Sequence, residues 1–201
     1  MVGRLSLSAK RAERARLSQV SLGETVFETD RLHLEPLREG HAAELFRLLS
    51  DPAMYRFIPQ DPPESIAKLV ERYKFLETRR SPDGEEEWLN WAVRLKGEDV
   101  CVGTVQVTLP RDGRAQLAYE IGTMYWRRGF ATEACSRVIQ ALFEQGASEV
   151  WAELDTRNEA SIALLERLGF RRGALKKNAD HFKGSDSDEW TYRLSRTTGP
   201  C

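Results

Sequence analysis

The pattern of apolar and polar positions changes period at one turn in the second half of the chain. Gln116 to Ile121 alternates, with Leu117, Tyr119 and Ile121 on one face and Gln116, Ala118 and Glu120 on the other, and predicts a half-buried strand. Past Gly129, the apolar residues Ala131, Ala134, Cys135, Val138, Ile139 and Leu142 fall at helical spacing and predict an amphipathic helix. The turn between them should leave the backbone amides of Arg128 to Thr132 free at the first helical turn. Free amides and the helix dipole attract an anion, the dipole alone contributing about 0.3–1 kcal/mol, and up to about 2 when partly buried. Gly129 lets a ligand approach the backbone closely. No Gly-Lys-Ser/Thr follows, which argues against a nucleoside triphosphate site of the Walker kind. An ordinary strand-to-helix turn has the same local pattern, so this stretch needs a second signal.

The remaining elements follow from the same patterns. Arg31 to Leu37 predicts a strand with Leu32 and Leu34 inward, ended by Pro36. Glu39 to Leu49 and Pro63 to Glu77 predict helices, with Pro62 and Pro63 marking the second one's start. The loop between them, Asp51 to Asp61, carries Met54, Tyr55, Phe57 and Ile58, which either plug the gap between the helices or form a lip over a binding site. Ser81 to Glu87 reads as a charged connection. Trp91 to Leu95 and Val100 to Leu109 form a hairpin, and a turn at 110–113 leads into the central strand. Val150, Ala152 and Leu154 alternate with Trp151, Glu153 and Asp155, a strand that the helical crossover makes parallel to the central one. A helix from Asn158 to Leu168 stops at Gly169, and two strands near Arg172 to Lys176 and Trp190 to Leu194 follow. The expected fold class is α/β, a mixed, mostly antiparallel sheet of about seven strands with about four helices. Residues 1–22, rich in Ser, Arg and Ala, are expected to form a frayed or disordered tail, and residues 23–201 a single domain.

Composition narrows the function by exclusion. The 201 residues carry a formal net charge of -1, which gives no basis for nucleic-acid or membrane binding through bulk electrostatics. No apolar run has the length of a membrane helix and no hydrophobic signal core follows Met1, so a cytoplasmic location is expected. Cys101, Cys135 and Cys201 are widely spaced, and His33, His41 and His181 equally so; neither a disulfide framework nor a metal site is expected.

The second signal is a pair of motifs. Arg127-Arg-Gly-Phe-Ala-Thr-Glu-Ala134 and, after a further strand, Asn158-Glu-Ala-Ser-Ile-Ala-Leu-Leu-Glu-Arg-Leu-Gly-Phe170 resemble the two signature motifs of the GNAT superfamily of CoA-dependent N-acetyltransferases. Tyr-Trp-x-x-Gly-x-Ala-Thr-Glu-Ala and Asp30-Arg31-Leu32-x-Leu34 resemble the branch of ribosomal-protein N-terminal-alanine acetyltransferases. The resemblance implies that the central strand and the next parallel one splay apart and that acetyl-CoA lies in the gap. Main-chain groups of Tyr119, Ile121 and Thr123 would hold the pantetheine arm, together with Asn158, itself also a natural helix cap. The amides of Arg128, Gly129, Phe130, Ala131 and Thr132 would take the pyrophosphate. Arg127 stands where the branch commonly has Gly and is placed to reach the phosphates. Gln116 stands where it often has Glu, and Leu165 where many members carry a tyrosine that protonates the departing thiolate.

Acyl transfer to an amine needs a neutral nitrogen, because an alkylamine of pKa near 10 is mostly protonated at neutral pH. Glu120, on the central strand beside the expected splay, is the first candidate for accepting the proton; a solvated or ion-paired structural acid is the alternative. Glu153 is the second candidate and, with Tyr55 and Phe57, lies on the expected acceptor side. Backbone amides near Tyr119 to Ile121 are candidates for the developing oxyanion. Ser161 is the candidate proton donor to the thiolate, or else a first-turn serine satisfying backbone. These residues predict transfer of acetyl from acetyl-CoA to a primary amine by direct attack, with a protein N-terminus the first acceptor class and small amines, antibiotics or polyamines the second. A CoA-binding module without turnover is the third reading. No cysteine nucleophile or metal is expected, and the chain is expected to be a monomer or homodimer.

Overall fold

The computed structural model describes residues 21–196. Its eight strands are β1 (Phe27–Glu28), β2 (Leu32–Pro36), β3 (Glu86–Leu95), β4 (Val100–Pro110), β5 (Arg114–Ile121), β6 (Glu149–Asp155), β7 (Arg171–Phe182) and β8 (Ser185–Ser195). They form one sheet in the order β1-β2-β3-β4-β5-β6-β8-β7. Among the described residues only β5 and β6 pair in parallel. The helices are α1 (Ala42–Leu49), α2 (Ile66–Leu76), α3 (Phe130–Glu144) and α4 (Glu159–Arg167). Among the described residues no helix is long and apolar enough to cross a membrane.

Two apolar clusters lie on opposite faces of this sheet. Leu117 and Ile121 of β5 share one with Ala134, Cys135, Val138 and Leu142 of α3 and Leu165 of α4. Leu45 and Leu49 of α1 share the other with Leu69, Tyr73 and Leu76 of α2 and with Ala92 and Cys101 of the sheet. A buried Leu or Val contributes about 1.5–3 kcal/mol, so both faces are firmly covered near β3 and β4. Glu120, Ala118 and Gln116 alternate with Leu117, Tyr119 and Ile121 and therefore face the α1–α2 side.

Several boundaries differ from the pattern-based expectation. The second helix begins at Ile66, after the prolines, because the Ser65 side chain caps it by accepting from the Lys68 amide at 3.2 Å. Glu39–His41 forms a 3-10 turn ahead of α1 rather than its first turn. β3 starts at Glu86, where the expectation had a connection; Glu86 and Glu87 pair with Pro110 and Leu109 at the sheet's end. The eighth strand, β1, has two residues, too few to show a period. β7 and β8 are much longer than expected, since exposed charges interrupt their alternation. Most of the expected tail, residues 1–20, lies outside the described residues. Leu22 packs against the core, and Glu24 holds Arg79 at 3.0 Å, so the folded part begins ahead of residue 23.

The feature that positions a site is the parting of the parallel pair. Arg114, Ala115 and Gln116 pair with Glu149, Val150 and Trp151, and there the pairing stops. β5 runs on to Ile121 along β4, and β6 to Asp155 along β8. Each strand is thus zipped on its outer side and open on its inner side. The main-chain groups facing the gap need other partners. The far end of β6 is pinned by the buried carboxylate of Asp155, which accepts from the Arg157 amide and the Ser187 hydroxyl, both at 2.8 Å.

Candidate active site

The turn after β5 ends at Gly129, whose φ of 82° is in the left-handed region where an L side chain is strained. The hydrogen bond closing the first turn of α3 runs from the Glu133 amide to the Gly129 carbonyl at 3.0 Å. The amides of Phe130, Ala131 and Thr132 therefore have no intrahelical acceptor and point out of the helix start. Arg127 also has positive φ, 57°, which explains why a glycine suits this position and costs this chain about 1 kcal/mol with arginine there. The Arg128 side chain lies back over the rings of Phe130 and Tyr125, at 4.9 and 5.7 Å.

This turn is locked from the other end of the chain. The Glu133 carboxylate accepts from the Thr29 hydroxyl at 2.6 Å, the Arg31 amide at 2.9 Å and the Arg31 Nε at 2.7 Å. Arg31 also donates from Nη1 to the Arg128 carbonyl at 3.0 Å and covers the Phe130 ring. Burial alone would raise the Glu133 carboxyl; the bonds from Thr29 and Arg31 outweigh it and hold the group below its ordinary value. The free amides are thereby fixed in direction.

Glu120 sits on the edge of the gap, over a small cavity of about 10 Å³, the room of one water, lined also by Arg72, Tyr73, Thr104 and Gln106. Burial pushes its carboxyl above the ordinary value, against the Arg72 guanidinium and the Thr104 hydroxyl, which donates at 3.5 Å. On the opposite face, the Tyr119 hydroxyl is buried without a hydrogen-bond partner. The Ser161 side chain on α4 is the polar group beside it, and burial pushes the phenol pKa up. An unpaired buried hydroxyl costs about 1–3 kcal/mol, which leaves this donor open to a partner. The open main-chain edges, the fixed amides and this orphaned hydroxyl together fit an extended, pyrophosphate-bearing thioester such as acetyl-CoA.

Residues 31–171 match the family described as the acetyltransferase (GNAT) domain. The chain belongs to the GNAT family of acetyltransferases. It is 27% identical over 172 residues to the uncharacterized N-acetyltransferase YoaA of Bacillus subtilis, covering 84% of this chain and 96% of that one. It is 28% identical over 93 residues to the [ribosomal protein bS18]-alanine N-acetyltransferase of Escherichia coli, covering 46% of this chain and 62% of that one. In fold it is similar to the solved structure of RimL, a ribosomal L7/L12 α-N-protein acetyltransferase in complex with coenzyme A. The TM-score there is 0.76 at 15% identity, over 85% of this chain and 98% of that one.

Within this GNAT chain the other expected residues fall as follows. Asn158 caps α4, its Oδ1 accepting from the Ser161 amide at 3.2 Å, so its cap role is filled while its side-chain NH2 stays free. Leu165, at the position where many members carry a tyrosine, is core. The Ile121 carbonyl already accepts from the Trp126 indole at 2.6 Å, and the Thr123 hydroxyl donates to Asp51 at 2.6 Å. Tyr55 is buried, its hydroxyl donating to the Leu49 carbonyl at 2.9 Å, which places it in the wall rather than on the lip; burial and the Glu120 charge push its phenol up to about 12. Phe57 is half-buried under Arg56, and Glu153 is exposed on β6. Cys101 and Cys135 are buried, and burial pushes the Cys101 thiol up to about 12, which makes both poor nucleophiles. Among the described residues no group of three or more His, Cys, Asp or Glu is placed to hold a metal.

Sequence reasoning missed Arg31, Glu133, Arg72, Thr104 and the Tyr119 side chain. The Asp30-Arg31-Leu32 motif was the available signal for the first pair. No local pattern could have brought Arg72 and Thr104 to Glu120, because they come from three separate elements.

Proposed function

We propose that this chain transfers acetyl from acetyl-CoA to a primary amine, with Glu120 taking the amine's proton. The observation that carries this reading is the Glu120 carboxyl, set on β5 beyond the point where its pairing with β6 ends, lining a water-sized cavity and raised above its ordinary value by desolvation. A base poised nearer neutral pH accepts a proton more readily than an ordinary exposed carboxylate. The β5 and β6 edges hold the pantetheine arm, and the amides of Arg128 to Thr132, with Arg127 beside them, hold the pyrophosphate. On this reading the neutral nitrogen bonds to the acetyl carbon as the carbon–sulfur bond breaks. Glu120 receives the proton lost by nitrogen through the water-sized cavity. The Tyr119 hydroxyl, with Ser161 beside it, donates a hydrogen bond to the departing thiolate, which takes its proton from water while Glu120 returns the amine's proton to solvent. The products are an acetamide and free CoA thiol, so atoms and charges balance.

Protein N-termini are the first acceptor class, supported by the similarity to the bS18-alanine enzyme; small amines are the second. Phe57 and Glu153 flank the acceptor on this reading. The deciding experiment is release of free thiol from acetyl-CoA with a panel of Ala- and Ser-starting peptides, polyamines and amino sugars. Release with at least one class, rising with pH as the amine deprotonates, is expected. Binding of acetyl-CoA with no release for any amine would replace this reading with a CoA-binding module.

A further inference from the structure

The loop from Asp51 to Asp61 is tied at both ends. At one end, Asp51 accepts from Thr123 at 2.6 Å, on the turn that follows β5. At the other, Lys183 donates to the carbonyls of Ile58 and Gln60, each at 2.9 Å, and lies 3.6 Å from the Asp61 carboxylate. Lys183 sits at the tip of the β7–β8 hairpin, and β8 is the partner of β6. The two ties therefore attach the loop to the two sides of the gap, with Tyr55 anchored in between.

Lys183 occupies an unfavourable position to do this. It and Gly184 form a two-residue hairpin turn with φ of 51° and 76°, a geometry that Asn, Asp or Gly adopts far more readily than Lys. A strained residue whose side chain spans to another element points to a role for that side chain. We infer that Lys183 is a latch that closes the loop over the acceptor side of the gap and makes the site selective for amines carried on slender chains. With the latch shut, the loop joins the turn after β5 to the β7–β8 hairpin, so β5, the loop, the hairpin and β6 enclose the acceptor side. An unbranched alkylamine or the first residues of an extended chain can thread it. A bulky amine on a ring system or a folded surface cannot enter until Lys183 releases Ile58 and Gln60. This inference rests on the acetyltransferase reading above for its chemistry, but the latch itself is a property of the fold.

The test uses the full chain with Lys183→Asn, which suits the turn better while removing the latch, and Lys183→Met, which keeps an unbranched side chain of similar length but removes the ammonium that donates to the loop and overlies the Phe182 ring. Hydrogen exchange at residues 56–61 should quicken at least ~10-fold in both variants, with the rest of the sheet unchanged. The ratio of kcat/KM for a bulky amine over a slender one should rise at least ~10-fold, with KM for acetyl-CoA unchanged. Unchanged exchange in both variants overturns the latch. Faster exchange with an unchanged ratio overturns its role in selectivity. Wild-type protein that acetylates no amine overturns the acetyltransferase reading instead, and exchange alone then decides the latch.

Discussion

Replacing Glu133 with Ala tests the lock on the first turn of α3. The substitution removes the acceptor of the Thr29 hydroxyl and of the Arg31 amide, each net hydrogen bond contributing about 1 kcal/mol. The ion pair with Arg31 adds about 0.5–1 kcal/mol, discounted for solvent because that side chain is 47% exposed. The expected loss is about 2–3 kcal/mol, or about 4–12 °C in Tm for a chain of this size. The pH dependence has a definite sign. The folded carboxyl titrates below the 4.5 of the free side chain, so its contribution is present above that value and is lost as pH falls through the lower folded one. Thermal melts of wild type and Glu133→Ala should therefore differ at pH 7 and converge as the pH drops well below 4.5. Equal Tm values at pH 7, or a difference that persists unchanged at acid pH, would refute the lock.

Glu120→Gln should lower turnover about 10²–10⁴-fold with acetyl-CoA affinity nearly unchanged, and higher pH should partly rescue it. The same change should raise Tm at pH 8: the raised carboxyl is tolerated below 4.5 and its stability is lost as pH climbs through the folded pKa, so the gain should vanish in acid. Gly129→Val should cost one or two charge-assisted hydrogen bonds to the pyrophosphate and weaken acetyl-CoA binding at least about tenfold by calorimetry. Its φ of 82° will also strain a β-branched residue, so a folded variant must be shown by its circular dichroism first. Tyr119→Phe should slow turnover about tenfold or more, yet raise Tm by about 2–12 °C through loss of an unpaired buried hydroxyl. A lower Tm would mean that the hydroxyl is paired within the fold.

The parts of the fold legible in the sequence are those whose period runs unbroken. Leu117, Tyr119 and Ile121 gave β5 and its buried face, and Ala134, Cys135, Val138 and Leu142 gave α3. β7 and β8 were legible only in pieces, because Lys176, Lys177, Asp186 and Asp188 line an exposed hairpin where burial imposes no alternation. The free amides at α3 followed from helix geometry alone. The lock on them did not, since Arg31 and Glu133 lie 102 positions apart. Tyr55 kept two readings open for a related reason: an aromatic in a loop reads the same whether it grips a ligand or, as here, donates to a carbonyl of the preceding helix. Glu120 was legible as an acid on the strand face opposite Leu117 and Ile121. Its raised pKa was not, because burial by α2 and the neighbouring strand is a tertiary property.

The most direct measurement is a crystal structure of the protein with acetyl-CoA. The account predicts the pantetheine arm between β5 and β6 beyond Gln116, pyrophosphate oxygens on the amides of Arg128 to Thr132, and the acetyl carbon facing Glu120. Coenzyme bound outside the gap, or an acetyl group turned away from Glu120 toward α3, would contradict it.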